Sequence, residues 1–487
     1  MRGCSVTIQQ ATIAPLLGPS PVEGWQHVEE WARGTDTGRY FFSNVIYVDG
    51  VRTANASVRS VQMLPKGALP PRDLQSRHVW NATMQVGVDS LGVVNAKTAC
   101  GARGDDAADD TKALQACLDQ HSAVFLPPGR YRISATLDVR AGGSLVGMGS
   151  SFSFLLAASG GFPDASPDAP APLLRTATSD ARDPPTTIAF LGLLTWQHIS
   201  DVYTIDWRTQ NPLSLWRSNF DTRECECLWT SAYQRLTPAD IPCSPPLNLT
   251  IPKAIFRGLG RVHSFVNDDT GHILSTGAKY RALRIGDTAA FAGPEARTRF
   301  YSLNLEHAQS EANGEITNAT WVDVYSIKVE GNLPILWLRG DVAHVSVLCL
   351  GGGFTAWPTN WTFPPDFAPA TPSAIRVDSG VRDVTLALLQ DHGFAQDTFW
   401  PPTRGDCKWT HFYPFPGASV SRYPFWTYPN VTMWNCWYGF TVSNAYWAMV
   451  WSSEFGISHP GDKPILWRTS AASTQVTVQS RLNLDDQ

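Results

Sequence analysis

A dense group of acidic and polar residues marks the middle of the chain. Glu306, Glu311 and Glu315 stand close together with His307 and Asn313, although only 17% of all residues are charged. Glycoside hydrolysis needs one carboxyl group that protonates the leaving oxygen and one ionised carboxylate that activates water or attacks. We therefore predict Glu306, Glu315 and Glu311 as catalytic carboxylates, and His307 and Asn313 as substrate-binding residues. A polar surface turn is the alternative interpretation.

Tryptophan is abundant, with 19 residues in the chain. Aromatic ring faces stack on sugar rings, because such rings are large and amphipathic. The sequence predicts Trp337, Trp357 and Trp361 as substrate-binding platforms. For each of them, packing in the core or in a cap is the alternative.

The elements that must position these residues are short strands at a nearly constant spacing. A period of about 20 residues is typical of a solenoid, whose repeats bury a face only against their neighbours. A β-sandwich with irregular hairpins also has many short strands, but it gives no reason for one period. We therefore predict a parallel β-helix with one turn per repeat. We call the apolar pattern at the start of each predicted strand the template. The separation between successive templates is nearly constant and doubles at the last step. The templates begin at Leu259, Tyr280, Phe300, Trp321, Val342 and Val381.

Equal offsets in successive turns of a β-helix predict neighbours, because such residues stack about 4.8 Å apart. Seven residues after three of the template starts lie Asp287, His307 and Lys328. We predict that Asp287 and Lys328 extend the substrate-binding surface beside His307. A solvated ladder of salt bridges is the alternative.

The segment 100–149 has the sharpest local pattern. Glycine turns precede Asp109 and Asp110, either of which fits the N-cap of a helix of about three turns. A buried strand with a Pro-Gly turn follows within 123–133. Such a helix would cover the open edge and exposed core of the first turn of the coil. Its apolar face consists of Leu114, Cys117 and Leu118.

Three stretches of this segment resemble a known family: Gly101-Ala-Arg-Gly-Asp-Asp-Ala-Ala-Asp-Asp-Thr-Lys-Ala-Leu-Gln115, Val124-Phe-Leu-Pro-Pro-Gly-Arg-Tyr131 and Leu145-Val-Gly-Met-Gly149. They are similar to the opening of the pectate-lyase-like superfamily domain, also called the rhamnogalacturonase/epimerase-type domain. The resemblance implies a right-handed parallel β-helix, in agreement with the period found downstream. It also implies structural roles, as turn and cap residues, for Asp105, Asp106, Asp109 and Asp110.

A second resemblance covers the acidic group. Leu305-Glu306-His307, followed by Asn313-Gly314-Glu315, resembles a stretch in the second half of family-55 glycoside hydrolases, exo-acting 1,3-β-glucanases built from two β-helices. This resemblance implies that a glutamate of this neighbourhood is the general acid. It also implies that residues 1–95 end a first β-helix. The next stretch, 316–321, differs from the aromatic stretch of that family.

The predicted architecture is all-β and has three parts. Residues 1–95 form a lead-in segment that could be the end of an upstream β-helix. Residues 96–395 form the right-handed single-stranded parallel β-helix, with about 20–21 residues per turn and a short N-terminal capping helix. Residues 396–487 form a cap rich in Trp and Tyr.

Composition excludes several classes of partner. The net charge of -5 and the pI near 6.1 give no basic field for nucleic acid. The longest apolar run, 188–196, is too short to span a bilayer. No Cys-x-x-Cys pair is present, which argues against a zinc site. We predict no metal and no cofactor, a polysaccharide or oligosaccharide as the partner, and leave the oligomeric state open.

The predicted localisation is extracellular or at the cell surface. The N-terminal residues 1–18 make a poor signal peptide, but chance explains only about two or three Asn-x-Ser/Thr sequons in such a chain. Cys100 with Cys117, and the cluster of Cys225, Cys227 and Cys243, fit disulfides of a secreted protein; free buried cysteines are the alternative. The six predicted glycosylation sites are Asn55, Asn81, Asn248, Asn318, Asn360 and Asn430.

Taken together, these patterns predict a polysaccharide-active protein, and glycoside hydrolysis is the reaction that best fits them. A non-catalytic glycan-binding or cell-surface structural β-helix is the first alternative. A polysaccharide lyase is the second; with calcium it would need carboxylates on adjacent turns and a basic residue, which only Asp287 and Lys328 approximate.

Overall fold

The structure, a computed structural model, is mostly β-strand with two large, chiefly parallel sheets. This confirms the prediction of an all-β, β-helix-like fold. Within the described residues, no helix has both the length and the hydropathy needed to cross a membrane. The structure describes residues 6–13, 26–33, 45–53, 57–63, 92–158, 160–195, 201–221, 250–263, 282–288, 292–306, 312–332, 334–355, 373–391, 412–414, 422–424, 448–458 and 464–469.

Sheet 1 has ten strands, of which all but the last pair are parallel. In spatial order they are β10 (Leu137–Val139), β13 (Ala171–Thr176), β15 (Val202–Trp207), β17 (Ala254–Phe256), β19 (Leu283–Gly286), β21 (Gly314–Thr317), β23 (Leu336–Arg339), β25 (Ser373–Val377), β29 (Ala448–Ser452) and β30 (Gly456–Ile457).

Sheet 2 has sixteen strands. From one edge to the other they are β6 (Val93–Asn95), β8 (Ala123–Leu126), β11 (Ser144–Gly147), β14 (Thr187–Leu194), β16 (Leu215–Asp221), β18 (Gly260–His263), β20 (Thr298–Glu306), β22 (Thr320–Asn332), β24 (Val342–Thr355), β26 (Val381–Asp391), β31 (Pro464–Arg468), β3 (Val45–Val48) and β4 (Val51–Thr53). Three further strands pair beside this path: β7 (Asp105–Asp109), β9 (Gly129–Ile133) and β12 (Ser153–Ala157).

Two small antiparallel sheets complete the described strands. One contains β1 (Val6–Ile13), β2 (Gln26–Arg33) and β5 (Ser57–Met63). The other contains β27 (Phe412–Pro414) and β28 (Arg422–Pro424).

Strands from β19 to β26 alternate between the two large sheets along the chain, and each pairs with the next strand but one. The backbone therefore coils, contributing one strand to each sheet in every turn. The period predicted from the sequence is wrong, because the turns differ in length and because the templates at Tyr280 and Phe300 lead into different sheets. In sheet 2, Phe300 pairs with Val324 and Val324 pairs with Val347, so these turns are longer than the predicted period. In sheet 1, Leu338 pairs with Val377, and the turn between them is longer still.

The core lies between the two sheets and is filled by alternate residues of the strands. Val322, Val324, Ile327 and Val329 of β22 are all at most 1% exposed. A run of rings crosses four strands: Trp207 and Trp216 lie 6.2 Å apart, Trp216 and Phe256 6.0 Å, and Phe256 and Phe300 5.4 Å. Edge-to-face pairs of this kind stabilise a core by about 0.5–1.5 kcal/mol each beyond their buried area.

The long strands of sheet 2 are interrupted at matching positions. Ser302 in β20 and Ser326 in β22 have left-handed backbones, with φ of 53° and 66°. The register passes from Tyr301–Tyr325 directly to Leu303–Ile327. One such residue bends a strand and shifts its alternation, so core residues occupy both halves of each strand.

The predicted helix is present and is preceded by a shorter one. Helix α1 (Ala96–Cys100) has Asn95 as its N-cap, and α2 (Thr111–Gln120) follows Asp110. The predicted apolar face of α2 is buried in the main core. Cys100 and Cys117 form a disulfide that links the two helices.

The four aspartates near α2 make local structural contacts. Asp110 is 2% exposed and accepts hydrogen bonds from the backbone N–H of Arg103 and Gly104. The Asp109 carboxylate accepts from Thr111 N–H at the start of the helix, and Asp105 accepts from two backbone N–H groups of its own turn. Asp106 forms ion pairs with two arginines of β9. The contacts of Asp105, Asp109 and Asp110 match the turn and cap roles implied by the resemblance, whereas Asp106 is an ion-pair partner of a neighbouring strand.

Sheet 2 joins residues from both ends of the sequence. β3 pairs in parallel with β31, and β31 pairs antiparallel with β26. Val45 and Tyr47 belong to the main core, while Ile46 packs with Ala387 and Leu466. Strands from the predicted lead-in and from the predicted cap therefore share a sheet with the coil; the boundaries at 95 and 395 stay predictions.

Candidate active site on the outer face of sheet 1

Glu315 is the most constrained of the predicted catalytic residues. It lies in β21, where its neighbours Gly314 and Ile316 are buried. Its Oε2 accepts from Nε of Arg284 at 3.0 Å and from Nη2 of Arg339 at 3.1 Å. The Glu315 side chain is 6% exposed, whereas Arg284 and Arg339 are 26% and 30% exposed. A nearly buried carboxylate is thus held through one oxygen by two half-exposed guanidinium groups.

The strands that place these groups are in register. Arg284 of β19, Glu315 of β21, Trp337 of β23 and Arg376 of β25 are successive Cα partners. They alternate with the core residues of the same strands, so all four lie on the outer face of sheet 1. The sequence separations between these partners are unequal, because turns of different length connect the strands, and this hides the line in the sequence.

Trp337 belongs to this line, but its ring faces are covered. The guanidinium carbons of Arg339 and Arg376 lie 4.3 Å and 4.4 Å from the ring centroid. Cation–π contacts at this distance hold the ring and both arginines in place. Trp337 therefore does not present the open ring face that sugar stacking needs. Its position beside Glu315 is consistent with the predicted neighbourhood, while the platform role is not supported.

The same outer face carries a second group of ion pairs, toward the earlier strands. Asp206 is fully buried and accepts from Nε of Arg208 at 2.8 Å and from Nε of Arg257 at 3.1 Å. The hydrogen bond to Asp206 raises the pKa of Arg208 above its usual value. Arg257 also pairs with Asp287. Burial, reinforced by the Asp206 charge, raises the pKa of nearby Tyr203.

Glu306 and Glu315 lie on different sheets. Glu306 is the last residue of β20 in sheet 2, and its Cα partner in the next strand is Glu330. The backbone therefore brings Glu306 beside Glu330, which the sequence analysis did not single out. The carboxyl position of Glu306 relative to Glu315 stays a prediction.

Asn313 and Gly314 have clear roles in the local fold. Asn313 is 2% exposed; its backbone N–H donates to Pro334 O, and its carbonyl accepts from Leu283 N–H. A Cβ atom at residue 314 would lie 2.9 Å from a methyl carbon of Leu305, so glycine permits close contact with the core. The contacts of Asn313 and Gly314 thus position Glu315 in sheet 1.

The predicted line of Asp287, His307 and Lys328 is wrong. Asp287 follows β19 of sheet 1 and pairs with Arg257. Lys328 lies in β22 of sheet 2, where its Cα partners are Asn304 and Gly351. The template at Tyr280 leads into a sheet 1 strand, and the templates at Phe300 and Trp321 lead into sheet 2. Residues at equal distances after the template starts therefore do not all lie on the same sheet.

Several predicted residues lie outside the described parts of the chain: His307, Glu311, Trp357, Trp361, Asn55, Asn81, Asn248, Asn360 and Asn430. Asn318 is described; it is exposed in the turn after β21, and its Oδ1 accepts from Asp341 N–H at 3.1 Å.

The sequence analysis missed the arginines around Glu315. A recognisable signal existed, because an arginine with an aspartate two or three residues later recurs in three of the four neighbouring turns that contain β19, β21, β23 and β25. The instances are Arg284-Ile-Gly-Asp287, Arg339-Gly-Asp341 and Arg376-Val-Asp378. In the structure Arg376 Nε donates to Asp378 Oδ1 at 2.8 Å, but Arg284 and Arg339 turn to Glu315 instead.

The arrangement suits proton transfer or nucleophilic attack by Glu315. In the described part of the chain, Oε2 receives both arginine hydrogen bonds and Oε1 receives none. A carboxylate fixed by one oxygen can use the other as a base or nucleophile. Among the described residues, no three His, Cys, Asp or Glu side chains are arranged to hold a metal ion.

A stack of aromatic side chains lies on the outer face of sheet 2. His263 and Tyr301 are 4.5 Å apart and Tyr301 and Tyr325 5.2 Å apart, nearly parallel. Burial, with smaller contributions from Arg217 and Arg261, lowers the pKa of His263 to about 4. Burial raises the pKa of Tyr301 to about 12. At neutral pH this stack is therefore uncharged.

Comparison with solved structures gives a distant similarity. Two chains match, and one of them is "Geobacillus virus E2 - ORF18", with 14% sequence identity and a TM-score of 0.32. The alignment covers 73% of this chain and 56% of that chain. This chain therefore spans little more than half the length of that protein.

No curated protein matches the chain. A protein-family model, described as "Rhamnogalacturonase A/epimerase, pectate lyase-like", matches residues 93–167. These residues include both helices, the four aspartates and the first strands of the coil. The match confirms the first predicted resemblance, so residues 93–167 are similar to the pectate lyase-like family; the resemblance to family-55 glycoside hydrolases stays a prediction.

Proposed function

We propose that this protein is a carbohydrate-active enzyme that cleaves a polysaccharide on the outer face of sheet 1. The observation that carries the proposal is Glu315, a nearly buried carboxylate fixed by Arg284 and Arg339 on neighbouring turns. The pectate lyase-like segment supports carbohydrate as the substrate class. Fold alone does not determine chemistry, so the argument depends on this site.

Glycoside hydrolysis is the reaction that we propose. Glu315, which accepts hydrogen bonds from two guanidinium groups through Oε2, would activate water or attack the anomeric carbon through Oε1. A second carboxyl group must protonate the leaving oxygen, and Glu311 is the proposed donor, because Glu306 ends a strand of the other sheet. Arg284 and Arg339 would hold Glu315 in its reactive orientation, and the charged face would retain a polar glycan.

We also propose the finer features predicted from the sequence. The coil is right-handed, with α2 covering its first turn and the aromatic-rich region capping its last. The protein is secreted and glycosylated. The Cys100–Cys117 disulfide supports an oxidising compartment, and the exposed position of Asn318 supports glycosylation there.

The test is release of reducing sugar from laminarin, pectin, alginate and rhamnogalacturonan by the wild type and by Glu315→Gln. Glutamine keeps the size of the side chain and one acceptor oxygen for the arginines. We expect the variant to lose about 10²-fold or more in kcat, the usual scale for a lost acid or base. Glu295→Gln is the matched control, because Glu295 is exposed and lies outside sheet 1.

The outcomes separate the candidate functions. Equal activity of wild type and Glu315→Gln would refute the assigned role of Glu315. Absence of product from every glycan, with folded protein, would favour a non-catalytic binding or structural protein. Lyase activity is the second candidate, favoured by the guanidinium groups of Arg284, Arg339 and Arg376 on one face. A lyase would release an unsaturated, ultraviolet-absorbing product, which hydrolysis does not form.

A further inference from the structure

A separate column of polar and aromatic side chains crosses sheet 2, away from Glu315. It consists of Arg297, Trp321, His344 and Asp383, and we name it the sheet 2 column. Trp321, His344 and Asp383 each precede a core valine directly, and those valines are successive Cα partners in β22, β24 and β26. The column therefore has one member in each of three adjacent strands, with Arg297 just before β20.

Each member of the column contacts the next. The guanidinium carbon of Arg297 lies 4.7 Å from the Trp321 ring centroid, and Trp321 stacks on His344 at 4.0 Å with an interplanar angle of 18°. Nδ1 of His344 contacts the Asp383 carboxylate. Arg297 also donates to Asp323 Oδ1 at 2.9 Å. The ring faces are thus occupied within the column, while His344 and Asp383 remain 34% and 44% exposed.

The backbone under the column is costly for these residue types. Trp321, His344 and Asp383 have φ values of 57°, 56° and 48°, in the left-handed region that glycine adopts without strain. Three successive turns nevertheless carry large or charged side chains there. Non-glycine residues in this conformation are concentrated at functional sites, where the side chain has a role beyond the fold.

The exposed edges of the column form a row of hydrogen-bonding groups. In the described part of the chain, Trp321 Nε1 and His344 Nε2 make no hydrogen bond, and the Asp383 carboxylate contacts His344 through one oxygen only. An indole N–H donates, a carboxylate accepts, and an imidazole nitrogen can do either. Neighbouring strands lie about 4.8 Å apart, so these groups repeat along the coil axis.

We propose that the sheet 2 column is a second, non-catalytic carbohydrate-binding surface, which contacts the hydroxyl groups of a polysaccharide chain running along the coil axis. A chain of sugars offers the repeated donors and acceptors that such a row requires. The four side chains are already fixed by one another, so little conformational entropy is lost on binding. This inference does not require Glu315 to be catalytic.

The experiment is affinity gel electrophoresis in gels containing laminarin, pectin, alginate or rhamnogalacturonan. Glu315→Gln serves as the parent, so that substrate is not degraded, and Trp321→Gly and His344→Gly are added to it. Glycine suits the left-handed backbone, so both variants remove a side chain without adding strain. Ser326→Gly is the matched control, because Ser326 is exposed, has φ of 66° and lies outside the column.

The expected result is that the parent is retarded by at least one glycan. The apparent Kd of Trp321→Gly and His344→Gly should then rise about tenfold, while Ser326→Gly binds like the parent. Unchanged binding by both column variants would overturn the inference, as would equal weakening by Ser326→Gly or no retardation of the parent by any glycan. Loss of cleavage in Glu315→Gln without loss of binding would leave the two sites separate, as proposed.

Discussion

The pH dependence of stability is expected to depend on His263. Its pKa is lowered from 6.5 to about 4, first by burial and then by Arg217 and Arg261. Because the folded-state pKa is depressed, the unfolded chain binds the proton more readily between these two values. The free energy of unfolding should therefore be highest above pH 6.5 and should fall as pH decreases towards 4.

The size of the effect follows from the shift. One pKa unit corresponds to about 1.4 kcal/mol, so the difference between 6.5 and about 4 sets an upper limit of about 3 kcal/mol. His263 is only partly buried, and solvent screening reduces this value. We expect a loss of about 1–2 kcal/mol between neutral pH and pH 4 from this residue alone.

The measurement compares His263→Gln with the wild type in urea unfolding at several pH values from 4 to 7.5. Glutamine does not titrate, so the difference in unfolding free energy between the two proteins should shift in favour of the variant as pH falls. Tyr301→Phe is the control, because it keeps the ring stack and the titrating imidazole. Parallel pH profiles for wild type and His263→Gln would refute the reasoning, since His263 would then titrate alike in the folded and unfolded states.

Three further changes test the core, the helix unit and the far edge of sheet 2. Phe300→Ala should lower the free energy of unfolding by about 3–5 kcal/mol, because Phe300 is fully buried; a loss below about 1 kcal/mol in chemical unfolding would contradict this packing, and Phe300→Leu should cost less. Cys117→Ser, which opens the disulfide to Cys100, should cost about 3 kcal/mol, and reducing agent should then have no added effect on the variant. Gly50→Ala should lower the Tm, since Gly50 has φ of 73° and an added Cβ would lie 2.6 Å from Cβ of Phe455; an unchanged Tm in calorimetry would contradict that contact.

The buried faces of individual helices and strands were predicted well from the sequence, because they follow from the side-chain chemistry of nearby residues. Leu114, Cys117 and Leu118 are spaced for one helix face, and all three are buried. The apolar alternation in β22 and β24 identifies inward positions without knowledge of the partner strand. These features depend on residues close in sequence, so they were accessible without a structure.

The sequence did not reveal in the same way which strands pair and at which residues. The template starting at Tyr280 is as regular as that at Phe300, but the first leads into sheet 1 and the second into sheet 2. Turn lengths also differ: the turn from Ile316 to its partner Leu338 is short, whereas the turn from Leu338 to its partner Val377 is much longer. The neighbours of Glu315 therefore come from positions that no single period connects.

Only part of the candidate site was predicted from the sequence, again because the register of the strands was not accessible. Glu315 was selected from a local excess of acidic residues, which identifies a polar segment but not its face. Its arginine partners lie 31 residues before it and 24 residues after it. Pairing Glu315 with Glu306 assumed that closeness in sequence means closeness in space, and the strands place the two on different sheets.

The parallel pairing of β3 with β31 has a consequence for the order in which the chain folds. A chain is made from its N-terminus, and domains generally begin to fold during synthesis. Val45–Val48 is made before the turns of the coil, whereas its partner strand Pro464–Arg468 is made after them. The turns between them can form one upon another as they emerge. The strand Val45–Val48 cannot pair until the intervening turns and Pro464–Arg468 have been made, so this pairing forms only after the coil between the two strands has been synthesised.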